Sequence, residues 1–184
     1  MAWREALRDF YTRIAARLQS ADARGAAGGW LAVHAAGRPC LLPLSQSGEI
    51  FPSSDLQPLP YTRPWFLGAA NLRGEIHGVV DLAHFVASQE GLGMSRPGTE
   101  SQAAGWFITL HPDLQARCAL RVDRLEGMRP AADFGPALAL HPSSNAPASH
   151  AWVSGFHVDG AGASWLALDL QALARAPEFL DAGA

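Results

Sequence analysis

An arginine set between an asparagine and a glycine, in the run Asn71-Leu72-Arg73-Gly74, has the strongest claim to chemistry in this chain. A guanidinium stays charged at any physiological pH and offers a planar fork of donors that matches a carboxylate. Gly68, Gly74 and Gly78 permit sharp turns or bulges around it, and Asn71 tolerates the left-handed backbone of a tight corner. Two uses of Arg73 follow. It can lock the corner through an internal ion pair with Glu49, Glu75 or Asp81, or it can present its fork to another protein. Residue types alone leave both open.

Catalysis finds less support. The chain has no Gly-x-Ser-x-Gly elbow, no glycine-rich phosphate loop ending in Lys-Ser/Thr and no Cys-x-x-Cys pair. All 14 basic residues are arginine, which removes Schiff-base and P-loop lysine chemistry. The 7 histidines are His34, His77, His84, His111, His141, His150 and His157, and no pair has the i, i+4 spacing of a zinc protease. Asp81 and Asp169 each close a strand just before a short helical stretch, where a carboxylate caps backbone N–H groups. No catalytic residue, metal or cofactor is assigned, and a metal-dependent enzyme built from these dispersed groups is the weaker alternative.

The elements that must position the corner are mostly short strands. They are expected at Trp30–Ala35, Pro39–Leu44, Glu49–Phe51, Phe66–Ala70, Glu75–Leu82, Gly105–Leu110, Ala116–Leu125, Ala151–Val158 and Ser164–Leu170. Short helical segments are expected at Ala83–Ala87 and Gln171–Arg175, and long loops at Ser88–Ala104 and Pro130–Ser149. Ahead of the strands, Trp3, Leu7, Phe10, Ile14 and Leu18 recur at helical spacing and predict an amphipathic helix over residues 2 to 18. Ser20 to Gly29 reads as a linker.

The strand from Gly74 to Leu82 has an echo in Ala163 to Leu170: each ends in Asp-Leu and runs into a helical segment. Trp65-Phe66-Leu67-Gly68 is echoed by Trp152-Val153-Ser154-Gly155, so two similar β subdomains are expected in one chain. Cys40 and Cys118 are expected as reduced thiols, with Cys118 packed as a small hydrophobe.

Composition narrows the class. The 184 residues are 48% hydrophobic and 17% charged, enough for a core without a metal or disulfide staple. A net charge of −3 argues against nonspecific nucleic-acid binding, which relies on basic surface. No stretch approaches the ~18 apolar residues of a membrane span. Arg4, Glu5, Arg8 and Asp9 are foreign to a signal peptide, so a cytoplasmic location without membrane insertion is expected.

With these motifs in place, the chain resembles the CheW family of chemotaxis coupling proteins. The residues that carry the resemblance are Gly48-Glu49-Ile50, Leu59-Pro60, the corner from Pro64 to Gly74, and Val79-Val80-Asp81-Leu82. Weaker matches follow at Leu120 to Leu125, Ser154-Gly155 and Leu168-Asp169-Leu170, over about residues 30 to 174 in all. The N-terminal helix and the Pro-Trp-x-x-Gly form of the corner resemble the type IV pilus twitching-motility branch (PilI-like). The resemblance implies a mainly β fold of two SH3-like five-stranded β-barrel subdomains sharing a core. It implies residues 1–29 as helix and linker, 30–176 as the CheW-like domain and 177–184 as a tail. It also implies a non-catalytic adaptor between methyl-accepting chemoreceptor tips and a CheA-type histidine kinase, recruited to membrane-associated arrays. By position, Glu49, Ile50 and Arg73 would contact partners, while Asn71, Leu72 and Gly74 would shape the corner. The family's apolar residue ahead of x-Glu-Ile is Ser47 here, which predicts a more polar rim beside a strand edge that Gly48 can bulge.

Overall fold

Two-residue turns build two of the hairpins. Ala36-Gly37 and Arg73-Gly74 both take positive φ at each position, as a type I′ turn requires, and they join β1 (Trp30–Ala35) to β2 (Arg38–Pro43) and β4 (Phe66–Leu72) to β5 (Glu75–Asp81). The computed structural model describes residues 28–54, 56–91, 105–138 and 150–183. The helix expected over residues 2 to 18 lies outside them, as do residues 92–104 and 139–149 of the two long loops. The remaining strands are β3 (Ser47–Pro52), β6 (Trp106–Leu110), β7 (Cys118–Val122), β8 (Arg124–Arg129), β9 (Val153–Val158) and β10 (Ser164–Leu168). Among the described residues the α-helices are short: α1 (Leu82–Gln89), α2 (Leu170–Leu173) and α3 (Pro177–Leu180).

The strands form two five-stranded sheets, in the orders β8-β1-β2-β10-β9 and β3-β6-β7-β5-β4. Each has one parallel pairing, β2 with β10 and β5 with β7, and is otherwise antiparallel. The echo in the sequence is real in space. Cys118 faces Gly78 in one sheet as Cys40 faces Leu166 in the other, and Asp81 and Asp169 donate their N–H to the carbonyls of Trp65 and Trp152, each at 2.8 Å. Gly68 and Gly155, at φ 141° and 135°, mark matching bulges.

The expectation of two barrels needs correction, because the sheets are not closed. Among the described residues, backbone pairing at each gap consists of isolated bridges, Gln57 to Ala69 beside β4, and Phe134 to Asp159 and Leu138 to Phe156 beside β9. The segments that make them carry Pro58 and Pro60, or Pro130 and Pro136, and proline has no N–H to extend a ladder. The bulge glycines let those segments approach. A Cβ on Gly68 would lie 2.2 Å from the Gln57 carbonyl oxygen.

Alternation along the strands feeds three cores. Leu31, Val33, Cys40, Leu42, Val80, Ile108, Cys118, Leu120, Leu166 and Leu168 meet between the sheets. Leu67, Ala70, Leu72, Val79, Phe107 and Ala119 fill the curl of one sheet, and Ala32, Leu41, Phe134, Trp165 and Ala167 that of the other. In the shared core Phe85 lies 5.2 Å from Trp65 and 5.4 Å from Trp152, so one ring joins the two equivalent tryptophans. Each such aromatic pair contributes about 0.5–1.5 kcal/mol beyond its burial. Phe179 of α3 packs into the same core, and Arg63 pairs with Asp181 at 3.1 Å, so residues 177–183 belong to the folded body rather than to a tail. Cys40 and Cys118 are free thiols buried in this core, and burial pushes both up to about 12.

The β9–β10 turn is built on Asp159. Its carboxylate accepts hydrogen bonds from Trp165 Nε1 at 2.9 Å, Ala163 N at 2.9 Å and Ala161 N at 3.0 Å, and Arg129 Nη1 lies at 3.4 Å. These donors, Trp165 foremost, hold its pKa below the ordinary aspartate range. The unfolded chain therefore binds the extra proton first, near pH 4, and the stabilisation is present above that pH and lost as pH falls through the folded value. Urea unfolding between pH 2 and 5 is expected to show stability falling with acid, with a shallower fall in Asp159→Asn; identical slopes would refute this account.

Candidate functional site

The corner singled out in the sequence is the β4–β5 turn. Arg73 has φ 52° and Gly74 φ 87°. A left-handed backbone costs a residue with a Cβ about 1–2 kcal/mol, and a type I′ turn ordinarily takes asparagine, aspartate or glycine there. Asn71 does not use the left-handed conformation that its side chain tolerates. It remains in β4, and its Oδ1 accepts the Gly74 N–H at 2.8 Å, pinning the turn from the side. Leu72 is buried in the core of its own sheet and anchors the turn.

Of the three acids open to Arg73, Glu49 is the one it meets, with Nη1 2.7 Å from Oε2. The side chains are 73% and 54% exposed, so the pair stabilises the fold by no more than about 1 kcal/mol. The guanidinium also lies 5.8 Å from the centroid of the Phe51 ring. Asp81 is committed elsewhere. It is fully buried, pairs with Arg121 at 3.1 Å, and caps α1 by accepting the His84 N–H at 3.0 Å.

Glu49 reaches Arg73 because β3 bulges. Its register against β6 shifts between Ser47 and Ile50, as Gly48 led one to expect. Ser47, by contrast, does not form a polar rim. It is 9% exposed, because its hydroxyl folds back to donate to the Pro43 carbonyl at 2.9 Å.

Glu49, Leu72 and Arg73 line one open groove of about 670 Å³, with Phe51, Leu110 and Ala116 as apolar lining and Glu75, His77 and Arg117 as further polar groups. Ile50, on the same strand as Glu49, is 41% exposed, and Ile76, paired with Asn71, is 60% exposed. The groove thus combines charged groups with apolar lining, and two exposed isoleucines lie on strands that border it. The sequence did not point to Thr109 or Arg117, which reach the groove from β6 and from the segment before β7 respectively. A hydroxyl inside the apolar run of β6 was the available signal for Thr109. Among the described residues, no group of three or more His, Cys, Asp or Glu side chains could hold a metal ion, and no helix is long and apolar enough to cross a membrane.

Fold and corner together define a protein of two interleaved, repeat-related β-sheets that carries an arginine on a strained hairpin turn. The chain belongs to the family of the CheW-like domain, whose model matches residues 29–178. Among solved structures it is similar to the scaffolding protein TtCheW from Thermoanaerobacter tengcongensis, with a TM-score of 0.56 and 18% identity, over 78% of this chain and 89% of that one. At that identity the likeness concerns the fold. A search of curated proteins returns no match.

Proposed function

We propose that this chain is a non-catalytic adaptor that couples the cytoplasmic tips of methyl-accepting chemoreceptors to a CheA-type histidine kinase. Residues 30–176 form the adaptor domain, and the protein works in the cytoplasm at membrane-associated receptor arrays. The pathway is the one that controls type IV pilus twitching motility.

One observation carries the reading. In a CheW-like domain, Arg73 is kept in a left-handed turn position that glycine or asparagine would fill with less strain, and its fork stands at the mouth of a groove. Strained backbone clusters at functional sites, and here the strain coincides with the groove, whereas Ala36 holds the same conformation in the β1–β2 turn without lining it. Glu49 and Ile50 add charge and apolar contact, while Asn71, Leu72 and Gly74 hold the turn. Such an adaptor gains strength from holding two partners at once, because the second contact forms at high effective concentration.

Affinity capture of the tagged chain from its native cell, followed by mass spectrometry, tests the pathway. A CheA-type kinase and a chemoreceptor together with pilus-motility components is the expected set. The same kinase class with flagellar components would move the adaptor to another chemosensory pathway. Capture of neither kinase nor receptor would sink the proposal.

A further inference from the structure

We infer that Thr109 is a positioning residue for the partner-binding corner, fixing the Glu49 carboxylate and through it the Arg73 fork. The inference rests on the binding role proposed above. Thr109 sits in β6 within the buried run Phe107-Ile108-Thr109-Leu110 and is itself 7% exposed. Its hydroxyl serves one residue twice. The Glu49 N–H donates to Thr109 Oγ1 at 2.8 Å, and Oγ1 lies 3.3 Å from the Glu49 carbonyl oxygen, to which it can donate.

This contact replaces ladder bonds that the bulge removes. Ser47 pairs with Leu110 and Ile50 with Ile108, which leaves both Gly48 and Glu49 opposite Thr109. A Cβ on Gly48 would lie 2.4 Å from the Thr109 hydroxyl, so the glycine and the hydroxyl fit each other. Without the hydroxyl, the Glu49 backbone groups lose their partner and the extra residue in β3 loses its anchor. A change of register by one residue sends a side chain to the opposite face of a sheet, which would take the Glu49 carboxylate away from Arg73. Sequence distance hides this link, since 60 residues separate Thr109 from Glu49.

Thr109→Val keeps the branched shape and removes the hydroxyl, Thr109→Ser restores it, and Gly48→Ala pushes it aside without altering Thr109. Two readouts are taken on the full chain: exchange of the Glu49 amide proton by NMR, and affinity for the CheA-type kinase of the same organism. Faster exchange and roughly five- to tenfold weaker binding are expected for Thr109→Val and Gly48→Ala, with both restored in Thr109→Ser. Glu49 exchange that is unchanged in Thr109→Val overturns the inference whatever the affinity does. If Arg73→Glu weakens binding while Thr109→Val and Gly48→Ala do not, the positioning role alone falls. If Arg73→Glu is silent as well, the binding role of the corner falls and the inference goes with it.

Discussion

Replacing Asp81 by alanine is expected to lower the unfolding free energy by about 3–5 kcal/mol, the usual loss when one partner of a buried ion pair is removed. Asp81 is 0% exposed and Arg121 5%, and their contact is 3.1 Å. Arg121 would keep Asp123 at 2.8 Å, but that carboxylate is 39% exposed and holds the arginine at the edge of the core. The same substitution removes the cap of α1, which adds about 1 kcal/mol. For a chain of this size the melting temperature should fall by about 10 °C or more. Asp169 supplies the internal control. It occupies the equivalent place in the other sheet and caps α2 through Gln171 N and Ala172 N, and among the described residues no arginine forms a salt bridge with it. Asp169→Ala should therefore cost only about 1 kcal/mol. Equal losses at the two positions, by chemical denaturation, would show that the ion pair does not set the difference.

Arg73→Glu is expected to leave the fold intact and to weaken partner binding by about 2 kcal/mol or more, roughly thirtyfold in Kd. The fold survives because the Arg73–Glu49 pair is exposed on both sides and contributes little to stability. Binding suffers because the fork is lost and two carboxylates then stand together at the mouth of the groove. Arg73→Gly separates the two roles more sharply. Glycine relieves the positive φ of this turn and should raise stability by about 1 kcal/mol, while binding still falls. A variant that is more stable and binds less well is the signature of a residue kept for use. Circular-dichroism melts and titration against the kinase and the receptor tip measure both quantities. Unchanged affinity for both partners in Arg73→Glu would remove Arg73 from the site.

Several elements were legible because local chemistry determines them. The span Trp30–Ala35 coincides with β1, and the Asp-Leu strand ends announced both α1 and α2. The repeat echo pointed to the doubled sheet. Ala116–Leu125 was less tractable. It reads as one strand but divides into β7 and β8, because every residue from Cys118 to Val122 is buried and no alternation remains to mark an end. That loss of period comes from the three-core arrangement, in which central strands are covered on both faces. The open sheets depend on prolines whose effect needs the sheet order to be known. At the corner, sequence offered three acids for Arg73, and only the register of β3 against β6, with its bulge at Gly48 and Glu49, selects one of them.

The central claim is coupling, and reconstituted kinase phosphorylation tests it most directly. With the organism's CheA-type kinase and chemoreceptor in vesicles, kinase activity should respond to receptor ligand only when this chain is added, and the Arg73→Glu protein should fail to restore the response. A kinase that is equally ligand-responsive with and without the chain would contradict the account.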